Sequence, residues 1–473
     1  MIEPPKIFTP RNYQELIRNF VLDNERGNIF ASPGTGKTSS TYDAYDTLRM
    51  FGEVKRMLVL GPKRVAKNVW PAERDKWGRS FGHLKVAAAI GTPEQRKAAV
   101  MSKPDVLCIN YDNIEWLIDG YGDDWPFDMV AADESTFIKG LRIHLTKNNN
   151  IKGQGSVRAK SLATVAHTKV RRWLNLTGSP APNGLQDQWG QQWFVDAGKR
   201  LGGDFKSFTD RWFYARATPD GYTQLTPHAH AQREIEGRMK DCCITIDAKD
   251  YFDIDKVIER HIMIDLPPAA RKAYQTMERD LFANINKHAI EVFSAGGKSN
   301  KCLQIANGSV YHDDEGSWTK AHDEKIEALK SIVAEWNGEP ILVRYLFKSD
   351  LARIKEAFPR MRVLDDKKQT EDDWNAGFIP LLAAHAKGAG HGLSLQDGGF
   401  VLVDYGSDFN LEQDEQIIER IGPTRQVQSG HKRPVYRYRI IARDTIEEDS
   451  VLPRLKYKMS VQDSFKLAMK RRG

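Results

Sequence analysis

The run Ala31-Ser-Pro-Gly-Thr-Gly-Lys-Thr38 carries the most specific chemistry in the chain. Gly34 and Gly36 let the backbone turn so that its N–H groups face phosphate oxygens. A helix starting directly after the turn adds the positive end of its dipole. Lys37 suits the β- and γ-phosphates, and the Thr38 hydroxyl suits magnesium. Ser32, Pro33 and Thr35 complete the loop, and Ala31 stands where the generic pattern has its first glycine. The loop predicts binding of ATP with magnesium.

A second signal is Asp133-Glu134, directly after the apolar run FDMVAA (127–132). Asp133 is expected to hold magnesium through water, and Glu134 to position and deprotonate the attacking water. Alone, such a pair reads as a solvated loop. Its place after a strand, downstream of a phosphate loop, gives it the catalytic reading. Leu176-Thr-Gly-Ser-Pro180 is a turn at another strand tip, suited to sensing the γ-phosphate. Far downstream, His385–Gln396 (HAKGAGHGLSLQ) is Gly-rich, and EQIIERIGPTRQ (415–426) places Gln416, Arg420 and Arg425 on or just after a helix. Arginines that face a phosphate site stabilise transition-state charge, an effect of ~10³–10⁵ in rate.

These residues need strand tips to stand on. From residue 26 to 185 short apolar runs alternate with polar or helical stretches: NIFA (28–31), MLVL (57–60), DVLCIN (105–110), FDMVAA (127–132) and WLNL (173–176). That rhythm predicts crossover units and a mainly parallel sheet. Lys139–Lys160, basic and rich in Asn and Gly, reads as an exposed loop. Residues 186–318 are dense in aromatics, with Trp189, Trp193, Phe194, Trp212, Phe213 and Tyr214, and read as a helical insertion. Tyr274, Met277, Leu281 and Ile285 predict a helix from near Ala269, and GGKSN (296–300) a flexible break. Alternation resumes near His322 with an amphipathic helix bearing Ile326, Leu329, Ile332, Val333 and Trp336. Strands are expected at 340–347, 379–385, 399–406 and 435–442. The resulting fold class is α/β, two lobes with parallel sheets, only the first with a phosphate loop. The domains are then 1–185, 186–318 and 319–473.

Composition is consistent with this. A chain of 473 residues suits about three domains at roughly 150 residues each. It is 40% hydrophobic and 28% charged, a globular balance. No apolar run approaches the ~18–20 residues of a membrane span. The start MIEPPKIFTP lacks the pattern of a signal peptide, so a cytoplasmic protein without a membrane partner is expected. The cysteines Cys108, Cys242, Cys243 and Cys302 form no CxxC pair and read as reduced thiols. Net charge is +7, and the last 21 residues carry seven Lys/Arg against one Asp. That tail is either a solvated helix face or a phosphate-tracking surface.

Taken in order, the motifs resemble those of superfamily 2 helicases, and within them the Swi/Snf-type motors, most of all the compact forms carried by bacteriophages. The matching segments are RNYQ (11–14), SPGTGKT, LVLGPKRVAKNVW (58–70), INYDNIEWL (109–117), ADESTFIKG (132–140), LNLTGSPAPN (174–183), ILVRYLFKSD (341–350), the run ending GLSLQ, and EQIIERIGPTRQ. The resemblance implies tandem RecA-like lobes and a helicase or translocase acting on DNA, in the host cytoplasm if phage-encoded. It implies that Arg11 and Gln14 contact adenine. Lys63 and Tyr111 in the first lobe, and His385, Lys387 and Asn410 in the second, would lie along nucleic acid. Gln416, Arg420 and Arg425 would act on ATP. One departure stands out: Pro423 occupies the position of the family's usual second arginine, with Arg425 two residues on. The expected activity is ATP-driven movement on duplex, forked or branched DNA, with unwinding, remodelling or branch migration, among other replication or recombination proteins. An RNA helicase, a duplex translocase without strand separation, and a non-hydrolysing binding protein are the alternatives.

Overall fold

Apolar runs too short for helices, flanked by helical stretches, form two parallel sheets in the computed structural model. The structure describes residues 5–145, 151–217, 223–283, 297–312, 316–365, 367–387 and 393–469. The chain divides into a first unit, 1–251 with 460–473, and a second, 252–459.

The first unit is built on strands β1 (Arg26–Ala31), β2 (Met57–Gly61), β3 (Val86–Ala88), β4 (Val106–Asn110) and β5 (Met129–Asp133). A hairpin, β6 (Arg142–Leu145) and β7 (Ile151–Gln154), precedes β8 (Arg172–Thr177). A second hairpin, β9 (Phe213–Ala217) and β10 (Thr223–Pro227), precedes β11 (Cys243–Ile246). The sheet order is β11-β1-β8-β5-β2-β4-β3, with every pairing parallel. Strands β2, β4, β5 and β8 are buried along their whole length. Continuous apolar runs, rather than alternating ones, are what a sheet covered on both faces requires. In such sheets ligands bind beyond the carboxyl ends of the strands. Ala31, Asp133 and Thr177 each stand at such an end.

The second unit contains β12 (Ile258–Ile264), a short hairpin β13 (Ser309–Tyr311) and β14 (Trp318–Lys320), then β15 (Ile341–Tyr345), β16 (Arg362–Val363), β17 (Leu381–His385), β18 (Val401–Asp404) and β19 (Tyr436–Ala442). Its parallel sheet has the order β12-β19-β18-β15-β17-β16. The amphipathic helix forms at Glu324–Glu335, with Ile326, Leu329 and Ile332 buried.

Both parallel-sheet lobes are present. The expected insertion at 186–318 is instead divided between the units. The helix Asp187–Asp196 is buried at every residue and packs on β1 and β8. Strand β11 adds to the outer edge of β1. Aromatic density there marks the core of the first unit, in which Trp173 and Phe194 stack at 4.8 Å. The basic stretch 139–160 holds the β6–β7 hairpin and the start of the helix Val157–Ala166, although 146–150 lie outside the described residues. Gly297–Asn300, expected as a break, opens the helix Gly297–Asn307, and residue 296 lies outside. The helix Pro268–Ala283 buries Tyr274; Ile285 and the Leu281 side chain are not described. The terminal segment is not only a basic tail: Phe465 and Met469 belong to the core of the first unit. Among the described residues no helix is long and apolar enough to cross a membrane.

Candidate nucleotide site

Strand β1 delivers the loop, and the helix Lys37–Met50 receives it. Gly34 and Gly36 have φ of 80° and 78°, left-handed values that glycine adopts without strain. Lys37 Nζ donates to the carbonyls of Ala31 at 2.7 Å and Ser32 at 3.4 Å, curling back over the loop. Thr35 Oγ1 donates to the Ser32 carbonyl at 2.7 Å. The Ser32 amide donates to Ile246 on β11, and Ser32 Oγ accepts from the Ala248 amide at 3.3 Å. Thr38 lies in the first turn of the helix and is half-buried.

Gln14 touches this loop. Its Nε2 donates to the Thr35 carbonyl at 3.5 Å, and its Oε1 accepts from the Arg11 amide at 2.9 Å. Arg11 itself is exposed at the start of the helix Asn12–Asp23.

Asp133 ends β5 and is 7% exposed. Its Oδ2 accepts from Trp70 Nε1 at 2.9 Å, and its Oδ1 from the Glu134 amide at 3.1 Å. Burial first, then the Glu134 charge, raises the Asp133 pKa to about 6 against the pull of Lys37. Such a desolvated carboxylate favours a cation. Glu134 has φ 54° and ψ 58°, strained for a residue with a side chain. Tyr111 Oη donates to the Asp133 carbonyl at 2.9 Å, and the Tyr111 ring stacks on Phe137 at 5.2 Å. At 1% exposure Tyr111 is a buried support for this turn. Trp70, the last residue of the segment 58–70, makes this contact although it is not among the site residues that the sequence marks. It opens the helix Trp70–Lys76 and is fully buried, and no local pattern marks its contact with Asp133.

The Thr177–Pro180 turn lies against the phosphate loop. A methyl group at Gly178 would meet Pro33 Cδ at 3.2 Å and the Ala31 carbonyl at 3.5 Å. Beneath these turns buried amides interlock. Asn175 Nδ2 donates to Asn28 Oδ1 at 2.8 Å, and Asn28 Nδ2 to Gln192 Oε1 at 2.8 Å.

The residues fit ATP with magnesium. The loop's glycines hold a left-handed phosphate-loop backbone. The donors expected for a metal, the Thr38 hydroxyl and the Asp133 carboxylate, would suit magnesium, which keeps waters and phosphate oxygens. Among the described residues no group of three or more His, Cys, Asp and Glu could cage a metal. All four cysteines are free and buried.

In the second unit, Gln416 and Arg420 ride on the helix Leu411–Ile418 and its end. Gln416 is 8% and Arg420 4% exposed. Arg420 Nε donates to the Gln416 carbonyl at 3.1 Å and Nη1 to the Leu393 carbonyl at 3.3 Å. Pro423 begins a new short helix, Pro423–Gln428, where its missing N–H removes no bond. Arg425 follows on that helix, half-buried, and donates to Ser394 Oγ at 3.0 Å. Gln426 is a strut, its amide donating to the carbonyls of Gln396, Gly399 and Ile421. The helix that carries Gln416 is anchored by Asp414. That buried carboxylate accepts from Arg344, Arg437 and Arg439 at 2.7–3.0 Å and is held well below the usual carboxylate range against the opposing effect of burial.

Of the residues expected along nucleic acid, Lys63 and Lys387 are exposed, each just past a strand end. Asn410 caps the helix Leu411–Ile418, accepting from the Gln413 amide at 3.1 Å. His385 is half-buried, with Nε2 on the Leu346 carbonyl and Nδ1 accepting from the Lys387 amide. Both ring nitrogens are therefore engaged in shaping the end of β17. Residues 388–392 of the Gly-rich run lie outside the described residues.

Residues 18–312 match the family described as SNF2-related domain. The chain is 46% identical to putative protein p41 of Acyrthosiphon pisum secondary endosymbiont phage 1, over 99% of this chain and 100% of that protein. It is 24% identical to nuclear protein STH1/NPS1 of Saccharomyces cerevisiae over 93% of the chain, and spans 33% of that relative. An uncharacterized ATP-dependent helicase of Mycoplasma genitalium is 23% identical over 90% of the chain, which spans 39% of it. A solved structure, the Sulfolobus solfataricus SWI2/SNF2 ATPase core in complex with dsDNA, is 20% identical with a TM-score of 0.42, covering 99% of this chain and 95% of that one. With a family match across more than half its length and a near full-length phage relative, the chain belongs to the SNF2-related family of helicase-like ATPases.

Proposed function

We propose that the chain is a DNA-stimulated ATPase that moves on duplex, forked or branched DNA and remodels or unwinds it. The observation that supports this most is the convergence of the Ala31–Thr38 loop, Asp133-Glu134 and the Thr177–Pro180 turn at the strand ends of one sheet, in an SNF2-related chain with a second α/β unit.

In this reading Lys37 leaves the carbonyls of Ala31 and Ser32 for the β- and γ-phosphates. The N–H groups from Gly34 to Thr38 hold the phosphate oxygens. Thr38 and Asp133 would hold magnesium, which supplies neutralisation of phosphate charge when bound. Glu134 orients the attacking water and takes its proton. Gln14 reads the adenine beside Arg11. Arg420 and Arg425 supply positive charge to the transition state, and Lys63, Lys387, His385 and Asn410 serve the nucleic-acid side.

The test is ATP turnover with single-stranded DNA, duplex, fork, four-way junction and RNA as stimulators, with strand-displacement gels on the same substrates. Stimulation by duplex or branched DNA is expected, and loss of turnover in Lys37→Ala. Wild-type turnover in that variant refutes the site, and stimulation by RNA alone refutes the DNA assignment.

A further inference from the structure

Glu134 keeps a left-handed backbone with a side chain attached, a conformation that persists only where surrounding contacts over-determine it. The next residue carries one such contact. Ser135 is buried, and its Oγ donates to Gln191 Oε1 at 2.7 Å. Gln191, 1% exposed, sends its Nε2 to the Pro180 carbonyl at 2.9 Å and to the Asp187 carbonyl at 3.1 Å. Gln188 Nε2 donates to the same Pro180 carbonyl at 2.7 Å. The Gln191 backbone carbonyl accepts from Asn175 Nδ2 at 2.9 Å. The helix Asp187–Asp196 comes this close because residue 190 is glycine. A methyl group there would overlap the Lys139 carbonyl group, with its carbon at 2.8 Å. Lys139 Nζ also pairs with Asp187 Oδ2 at 3.6 Å.

We propose that Gln191 is a positioning residue for hydrolysis: its amide ties the Glu134-Ser135 turn to the Thr177–Pro180 turn, so that the water-activating carboxylate and the turn beside the phosphate loop are held as one body. The proposal rests on the ATPase reading of the same site. Gln191 touches neither nucleotide nor water in this scheme. It acts through Ser135 on one side and Pro180 on the other. Without the amide, the Glu134 turn can relax its backbone, and a displacement on the order of 1 Å at a catalytic group costs about 10²-fold in rate.

The experiment measures kcat and KM for ATP in the full chain, with equilibrium binding of ADP to the same samples. Gln191→Leu and Ser135→Ala are each expected to lower kcat by about 10- to 100-fold, with ADP affinity changed less than about 3-fold. Ser135→Thr keeps the hydroxyl and is expected to stay within about 3-fold of wild type. The double variant Ser135→Ala/Gln191→Leu is expected to fall no further than the worse single, because both remove one connection. Unchanged kcat in either single variant, or losses that multiply in the double, overturns the proposal. Should Gln191→Leu fail to fold, Ser135→Ala against Ser135→Thr decides, and equal kcat in those two overturns it. A wild-type chain without ATP turnover refutes the ATPase reading and the proposal together, whereas an active wild type with unaffected variants refutes the proposal alone.

Discussion

Replacing Gly36 by alanine imposes two separable strains on the phosphate loop. The first is conformational: Gly36 has φ of 78°, and a Cβ in the left-handed region costs about 1–2 kcal/mol. The second is steric. The new methyl group would overlap Gln14 Nε2 and lie 3.2 Å from Gln14 Cδ and Ser39 Oγ. Gln14 must then leave, giving up its bonds to the Thr35 carbonyl and the Arg11 amide, at about 0.5–1.5 kcal/mol. Together these amount to about 1.5–3.5 kcal/mol against the loop conformation that binds phosphate, or roughly 10- to 400-fold weaker nucleotide binding. In a Gln14→Ala background the overlap is gone, and the same substitution is expected to weaken binding only about 5- to 30-fold. The assay is equilibrium titration of a fluorescent ADP with magnesium across the four-member cycle, with thermal melts as the folding check. Binding by Gly36→Ala within about 3-fold of wild type, or an equal penalty in both backgrounds, refutes the reasoning.

Arg425→Ala is expected to slow ATP hydrolysis far more than it weakens binding. An unchanged rate beside a severe Arg420→Ala would show that Arg420 acts alone. Asp414→Asn removes the carboxylate shared by three buried guanidiniums and is expected to destabilise the second unit by about 3–5 kcal/mol. Calorimetry should show Tm lower by on the order of 10 °C, and an unshifted Tm refutes the anchor. His322, 5% exposed, bonds the Ile305 carbonyl through Nε2, and burial lowers its pKa to about 4. The folded chain thus prefers the neutral ring. The stability it contributes is full above the unfolded value of about 6.5 and is lost as pH falls towards about 4, by about 1–3 kcal/mol. His322→Gln should flatten that part of the stability–pH curve, and an unchanged slope would show that other groups set it.

The lobes were legible because central parallel strands are apolar throughout: all five strands expected between 26 and 185, and all four expected after 322, are present within a few residues. Strand β12 escaped because an edge strand exposed over Ile258–His261 shows no such run, and β11 because CITI sits among aromatics that read as helical. The loop and Asp133-Glu134 were readable because phosphate chemistry fixes residue types at fixed spacing. The supports were not. Trp70, Ser135 and Gln191 act through contacts across 56–63 residues of sequence, which no local pattern records. Tyr111 shows the converse: an aromatic in the right motif whose hydroxyl is spent on the Asp133 carbonyl.

Strand β1, which carries the nucleotide loop, rests its Phe30 ring 5.7 Å from Phe465. Those residues belong to one core but lie on either side of the whole second unit. During synthesis at ~5–20 residues per second, roughly 10–40 s separate the two halves of that core. For that interval the nascent first unit has its loop but not the ring behind it. The core of the first unit is therefore completed only once residues 460–469 have been made.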